Sequence, residues 1–182
     1  MSGNGIAIIG AGMIGAAHAN GYRTYLPRFA ARIPGLRLAQ VCDSNGGLAK
    51  GLAETWGFEE TVDDWRKVLA DPEIGIISIC LPNFLHAEVA AAALEAGKHV
   101  MCEKPLAMSA ADARRVCEKA RASDRVAASV ANYRRIPVVI ITTEHSANAK
   151  AFRDIAAGPP IDSNRRPPSG RSTAGGRPRT SH

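Results

Sequence analysis

The run Gly5-Ile6-Ala7-Ile8-Ile9 leads without a spacer into Gly10-Ala11-Gly12-Met13-Ile14-Gly15 and then into a helical pattern. Few folds accept three glycines at such a junction. A segment apolar at every position has no solvent side, so it reads as a strand covered on both faces. The same texture returns at Leu36 to Cys42, Ile74 to Leu81 and His99 to Cys102, with Val126 to Val130 as a weaker, small-residue strand.

Helical signals fill the intervals. Leu48, Leu52 and Trp56 recur at four-residue spacing before Gly57, which reads as a C-terminal cap. Thr61 and Asp64 resemble a capping box ahead of Trp65, Val68 and Leu69, and Asp71-Pro72 ends that helix. Asn83 reads as the cap of a helix whose inward face is Leu85, Val89, Ala92, Ala93 and Ala96, closed by Gly97. Ser109 and Asp112 repeat the capping pattern before Ala113, Val116, Cys117 and Ala120. Alternation of this kind predicts an α/β fold, a doubly wound parallel sheet with right-handed crossovers, complete by Asn132.

The glycines have separate physical reasons. Gly10 permits the tight turn, Gly12 lets a pyrophosphate approach the backbone, and Gly15 lets the helix pack closely on the strand. Free backbone N–H groups of Gly12, Met13 and Ile14, at the positive helix end, then receive the phosphates. This is the fingerprint of a Rossmann dinucleotide site when an acid ends the second strand, and Asp43 stands there. Asp43 should accept hydrogen bonds from the adenosine ribose and repel a 2′-phosphate, favouring NAD, although Ser44 and Asn45 beside it are compatible with NADP. It comes 28 residues after Gly15, against the usual spacing of roughly 20. Pro27 and Pro34-Gly35 are read as marking a longer connection, Arg23 to Gly35, that absorbs the excess.

Two further strands end in polar clusters on what should be the same carboxyl edge, Pro82-Asn83-Phe84-Leu85-His86 and Glu103-Lys104-Pro105. A lysine at a strand end over a nicotinamide can hold a substrate oxygen as hydride leaves. Glu103 can orient that ammonium or hold the cofactor, and Pro105 restricts Lys104 to extended geometry. A solvated ion pair at a loop start is the other reading of Glu103 and Lys104, and a solvent-facing or capping histidine the other reading of His86.

Taken in order, Gly10 to Gly15, Asp43, Pro82-Asn83 with His86, and Glu103-Lys104-Pro105 resemble the nucleotide-binding half of the Gfo/Idh/MocA oxidoreductases. The resemblance covers about residues 5 to 137 and ends at Asn132-Tyr133-Arg134-Arg135-Ile136-Pro137, which resembles that family's crossover into a second domain. It implies NAD(P)-dependent oxidation or reduction at a hydroxyl-bearing carbon of a sugar or polyol, with Lys104 contacting the reacting hydroxyl. It also places Pro82, Asn83 and His86 near the nicotinamide ribose and Glu103 near the nicotinamide.

The organisation expected is a Rossmann domain over residues 1–137, a remnant or irregular segment over 138–157, and a disordered Arg/Pro/Gly-rich tail over 158–182. From Gly158 onward there are five Pro, four Gly and five Arg against a single acid, Asp162, so four of the six net positive charges of the chain lie there. Such a segment buries too little surface to offset its ordering entropy. It has no aromatic residue for base stacking, so nucleic-acid binding is set aside. His145 and Asp154 have the identities of that family's proton-transfer partners but no matching context. The expectation is a truncated or frame-shifted relative with impaired turnover; the alternative is a non-catalytic NAD(H)-binding module, or a subunit completed by a partner chain. Loss of a covering domain leads us to expect self-association. No signal peptide or membrane span is read, Cys42, Cys80, Cys102 and Cys117 are read as reduced thiols, and a cytoplasmic location without a metal site is expected.

Overall fold

A computed structural model describes residues 3–30 and 33–131. Among them six strands, β1 (Gly5–Ile9), β2 (Arg37–Cys42), β3 (Glu60–Val62), β4 (Ile74–Ile79), β5 (His99–Cys102) and β6 (Ala127–Ser129), alternate with helices. The helices are α1 (Met13–Ala30), α2 (Gly46–Trp56), α3 (Trp65–Ala70), α4 (Asn83–Glu95) and α5 (Ala110–Ala122). The strands form one sheet in the order β3-β2-β1-β4-β5-β6, parallel throughout.

The apolar runs explain the layering. In β1, Ile6 and Ile8 pack with Leu38, Val41, Ala49 and Leu52 on one face, while Ala7 and Ile9 pack with Ile77, Ile79 and Val89 on the other. Residues of a strand point alternately to opposite faces, so only a strand roofed on both sides stays apolar at every position. Each fully buried isoleucine of β1 and β4 contributes about 1.5–3 kcal/mol by leaving water. The chain leaves β1 toward β2 and leaves the adjacent β4 toward β5. Loops at their carboxyl ends therefore diverge and open a crevice, the place where such sheets bind ligands.

Several local expectations need correction. α1 does not stop near Arg23 but runs through Pro27 to Ala30, so most of the long β1-to-β2 interval is helix. Tyr22 and Leu26 pack against the core cluster under α1, and that burial offsets the roughly 3 kcal/mol an internal proline costs. The connection then turns tightly, with Leu36 N donating to Ile33 O across Pro34-Gly35, where Gly35 takes φ 79°.

Thr61 is not a cap: it lies in the short edge strand β3, and Asp64 alone caps α3 by accepting from Arg66 N. Asn83 is the first helical residue of α4 behind Pro82, with no side-chain cap bond, and Ala96 is exposed. α4 instead buries residues on most of its circumference, because it is flanked by the sheet, α3 and α5. The other signals hold: Gly57 takes φ 76° at the end of α2, and Ser109 Oγ accepts from Asp112 N at the start of α5. Expectations for residues 132–182, including the crossover, the segment 138–157, the tail, His145 and Asp154, lie outside the described residues.

Candidate dinucleotide and lysine site

The turn after β1 is built so that its three glycines are not equivalent. Gly10 adopts φ 107°, and a Cβ there would sit 2.4 Å from the carbonyl oxygen of Cys80. A Cβ on Gly15 would sit 2.0 Å from the carbonyl oxygen of Gly10, so α1 rests on the turn that precedes it. A Cβ on Gly12 would meet nothing within 4 Å. Two glycines thus close the turn, and the third opens it to solvent. The first amides of α1 have no partner inside the helix, and they emerge beside that open side.

Asp43, in the turn after β2, is anchored on this loop. Its Oδ2 accepts from Ala11 N at 2.8 Å and its Oδ1 from Asn45 N at 2.8 Å. Each carboxylate oxygen retains a further lone pair for a ligand hydroxyl. Asp43 also borders a hollow with Thr61, Asp63 and Lys67, where the hydrogen bond from Lys67 Nζ to Asp63 Oδ1, 2.7 Å long, holds the Asp63 carboxyl below its ordinary range.

Gly10, Gly12, Met13, Ile14, Asp43 and Pro82 line a single cleft of about 610 Å³ at the carboxyl edge. Its walls are apolar yet open: Met13 is 83% exposed, Phe84 69% and Leu48 50%. Gly15 lies behind the loop rather than in the cleft, as its packing role requires.

Asn83, His86, Glu103 and Lys104 do not line this cleft; the lysine cluster follows β5, the strand next to β4, and the residues after β4, Cys80 and Leu81, do line it. Glu103 N donates to Ile79 O at 3.0 Å, which seats the residue after β5 against the end of β4. Glu103 Oε2 accepts from Lys104 N at 3.0 Å, and Lys104 is exposed. The Lys104–Pro105 peptide is cis. Asn83 is exposed at the start of α4.

His86 is buried near the start of α4 rather than facing solvent. The ring is 1% exposed, with Nδ1 2.7 Å from Pro105 O and Nε2 2.7 Å from Leu81 O. The ring lies between these two carbonyl oxygens, and the residue ties the turn after β4 to the turn after β5.

Sequence reasoning passed over His18. Its Nε2 lies 3.1 Å from Glu103 Oε1, 85 positions away. The available signal was the spacing of His18, Tyr22, Tyr25 and Leu26, a stripe on α1 that lines an apolar groove of about 620 Å³. Burial in that stripe raises the Tyr22 phenol above its ordinary range, opposed by its 2.6 Å hydrogen bond with Ser78 Oγ. The thiols are free, and burial first, with neighbouring carboxylates second, pushes Cys42, Cys80 and Cys102 up to about 12. None of these is a nucleophile at neutral pH. Among the described residues no helix is long and apolar enough to cross a membrane.

Sheet order, glycine turn and second-strand acid together define a dinucleotide-binding domain of the Rossmann class. Residues 4–132 match the family model described as an oxidoreductase family with an NAD-binding Rossmann fold, and the chain belongs to this Gfo/Idh/MocA family. It is 38% identical over 141 residues to levoglucosan dehydrogenase of Pseudarthrobacter phenanthrenivorans, covering 77% of this chain and 36% of that protein. It is 41% identical over 124 residues to D-glucoside 3-dehydrogenase of Escherichia coli, covering 68% and 33%. Among solved structures, levoglucosan dehydrogenase in complex with NADH and L-sorbose matches with a TM-score of 0.66 and 36% identity, over 79% of this chain and 39% of that one. The chain thus spans about a third of the length of the curated relatives it matches.

Proposed function

We propose that this chain binds NAD(H) through the Rossmann domain, and that Lys104 serves a hydride transfer at a hydroxyl-bearing carbon of a sugar or polyol when a substrate domain completes the site. The observation that carries the reading is the glycine turn, closed at Gly10 and Gly15 and open at Gly12, tied by Ala11 to the Asp43 carboxylate. The amides of Gly12, Met13 and Ile14 hold the diphosphate at the positive end of α1. Asp43 accepts the adenosine ribose hydroxyls with the lone pairs that Ala11 and Asn45 leave free, and its charge disfavours a 2′-phosphate. Pro82 and Phe84 wall the far side, and Asn83 stands at its rim.

Bound NAD supplies the hydride acceptor. Lys104, exposed at the end of β5, would hold the substrate oxygen while the hydroxyl proton passes to a base supplied with the substrate domain, and Glu103 fixes the start of the lysine stem through the Lys104 amide. His86 acts at one remove, by clamping the two turns that frame this end. The substrate class comes from the relatives, which are named for oxidation of levoglucosan and D-glucosides.

The test is calorimetric titration with NAD and NADP of the natural chain and of Asp43→Asn. The natural chain should bind NAD more tightly than NADP, and the variant should lose about tenfold in NAD affinity while narrowing the preference. Equal affinity for both cofactors in the natural chain would remove Asp43 as the selector. Absence of binding to either would remove the reading itself.

A further inference from the structure

We infer that His18 is a positioning residue for the nicotinamide end of the site, acting through Glu103; the inference rests on the dinucleotide reading. His18 stands five residues into α1, about 7.5 Å along the axis from the end that would hold the diphosphate. A dinucleotide seated with its adenosine at the end of β2 and its diphosphate at α1 must carry its other half past β4 toward β5, over Glu103 and Lys104. His18 is therefore on the same rigid element that grips the middle of the ligand, and it reaches the loop that meets its far end.

Three hydrogen bonds fix Glu103. Its amide donates to Ile79 O, its Oε2 accepts from Lys104 N, and its Oε1 accepts from His18 Nε2–H. The first two lie within the sheet and the loop, and only the third comes from the phosphate helix. The His18 and Glu103 side chains are 9% and 12% exposed, so water does not readily replace the bond. The ring of His18 meets a different environment from that of His86. His86 has a backbone carbonyl oxygen 2.7 Å from each ring nitrogen, so its ring meets only the two turns it joins. His18 Nδ1 is buried with no hydrogen-bond partner among the described residues, so the polar interaction of the ring is spent on Glu103 alone. Without it the carboxylate is free to swing toward solvent. The Lys104 amide then loses its acceptor, and the direction in which the lysine leaves β5 is no longer set.

The experiment uses the full chain and two probes, NADH and ADP-ribose, which lacks the nicotinamide. His18→Phe keeps ring volume without the N–H, and His18→Gln keeps an N–H donor of similar reach. His18→Phe should weaken NADH binding about tenfold and shift the emission of the bound dihydronicotinamide, with ADP-ribose affinity held within about twofold. His18→Gln should recover most of the loss. Glu103→Gln should show the same selective loss, and adding His18→Phe to it should cost no more than about twofold further, since the two act as one unit. Should His18→Phe fail to fold, Glu103→Gln and His18→Gln carry the same comparison. Equal loss for both probes, or no loss for either, would overturn the assignment while leaving the nucleotide site standing. Failure of the natural chain to bind either probe would overturn the dinucleotide reading and this inference with it.

Discussion

Gly12→Ala separates folding from binding in a way the other two glycines do not allow. The added Cβ meets nothing within 4 Å, and Gly12 does not occupy the left-handed region. Replacing such a glycine restricts the unfolded chain, so stability should be unchanged or raised by about 0.4–1 kcal/mol. That corresponds to an increase of at most about 4 °C in Tm for a domain of this size. The ligand meets a different surface. A diphosphate oxygen bonded to first-turn amides approaches them to about 2.9 Å, and the new methyl group occupies that approach. Loss of one or two charge-assisted hydrogen bonds at about 1.5–3 kcal/mol each weakens NAD at least about tenfold, and several-hundredfold if both go. Thermal unfolding followed by circular dichroism and calorimetric titration with NAD measure the two effects on one sample. NAD affinity equal to that of the natural chain would refute the placement of the diphosphate. A large fall in Tm would refute the claim that the space beside Gly12 is open.

Gly10→Ala should behave in the opposite way, because its φ of 107° and a 2.4 Å approach to Cys80 O strain any side chain; we expect a loss of about 3 kcal/mol or more, read as a lower urea midpoint. With Cys42, Cys80 and Cys102 pushed up to about 12 from 9.0, their thiolate fraction at pH 8 falls roughly a thousandfold. Iodoacetamide should therefore label them only after unfolding, as mass mapping of native and urea-treated protein would show. His99 is held below its ordinary range by burial first and by the Arg125 charge second, and its Nδ1 accepts from Val126 N. The unfolded chain then takes up a proton more readily, so this contribution to stability is complete above pH 6.5 and is lost as pH falls through that value toward the folded one. The Tm difference between pH 7.5 and pH 5.5 should shrink in His99→Asn, which keeps an acceptor for Val126; an unchanged difference would count against it.

Sheet and helix order were legible because the strands of this fold are roofed on both faces and so announce themselves as apolar runs. β3 was not, since Glu60-Thr61-Val62 is an edge strand of three residues, largely exposed, and its polar texture looks like a cap for the next helix. Pro27 misled for a related reason: local chemistry argues for a helix end there, while the packing of Tyr22 and Leu26 keeps the helix going. At the site, glycine spacing and the acid after β2 could be read directly, because backbone geometry dictates them. The two histidines could not. His86 and His18 are defined by partners 19 and 85 positions away, and no local pattern distinguishes a clamp from a ligand contact. The bond from Ala11 to Asp43 belongs to the same class, which changes what a substitution at that acid means.

The Asp43 carboxylate steadies the glycine turn through Ala11 N, and in the function proposed above the same group selects the sugar. Re-engineering this protein toward the phosphorylated dinucleotide by replacing Asp43 with a cation or a small apolar residue would loosen the very loop the new ligand needs. The workable substitution retains a short acceptor facing Ala11 and places the positive charge one step further on, at Ser44. If Asp43 selects the coenzyme as proposed, that preference is bound to loop rigidity, and a change in one has to be compensated in the other.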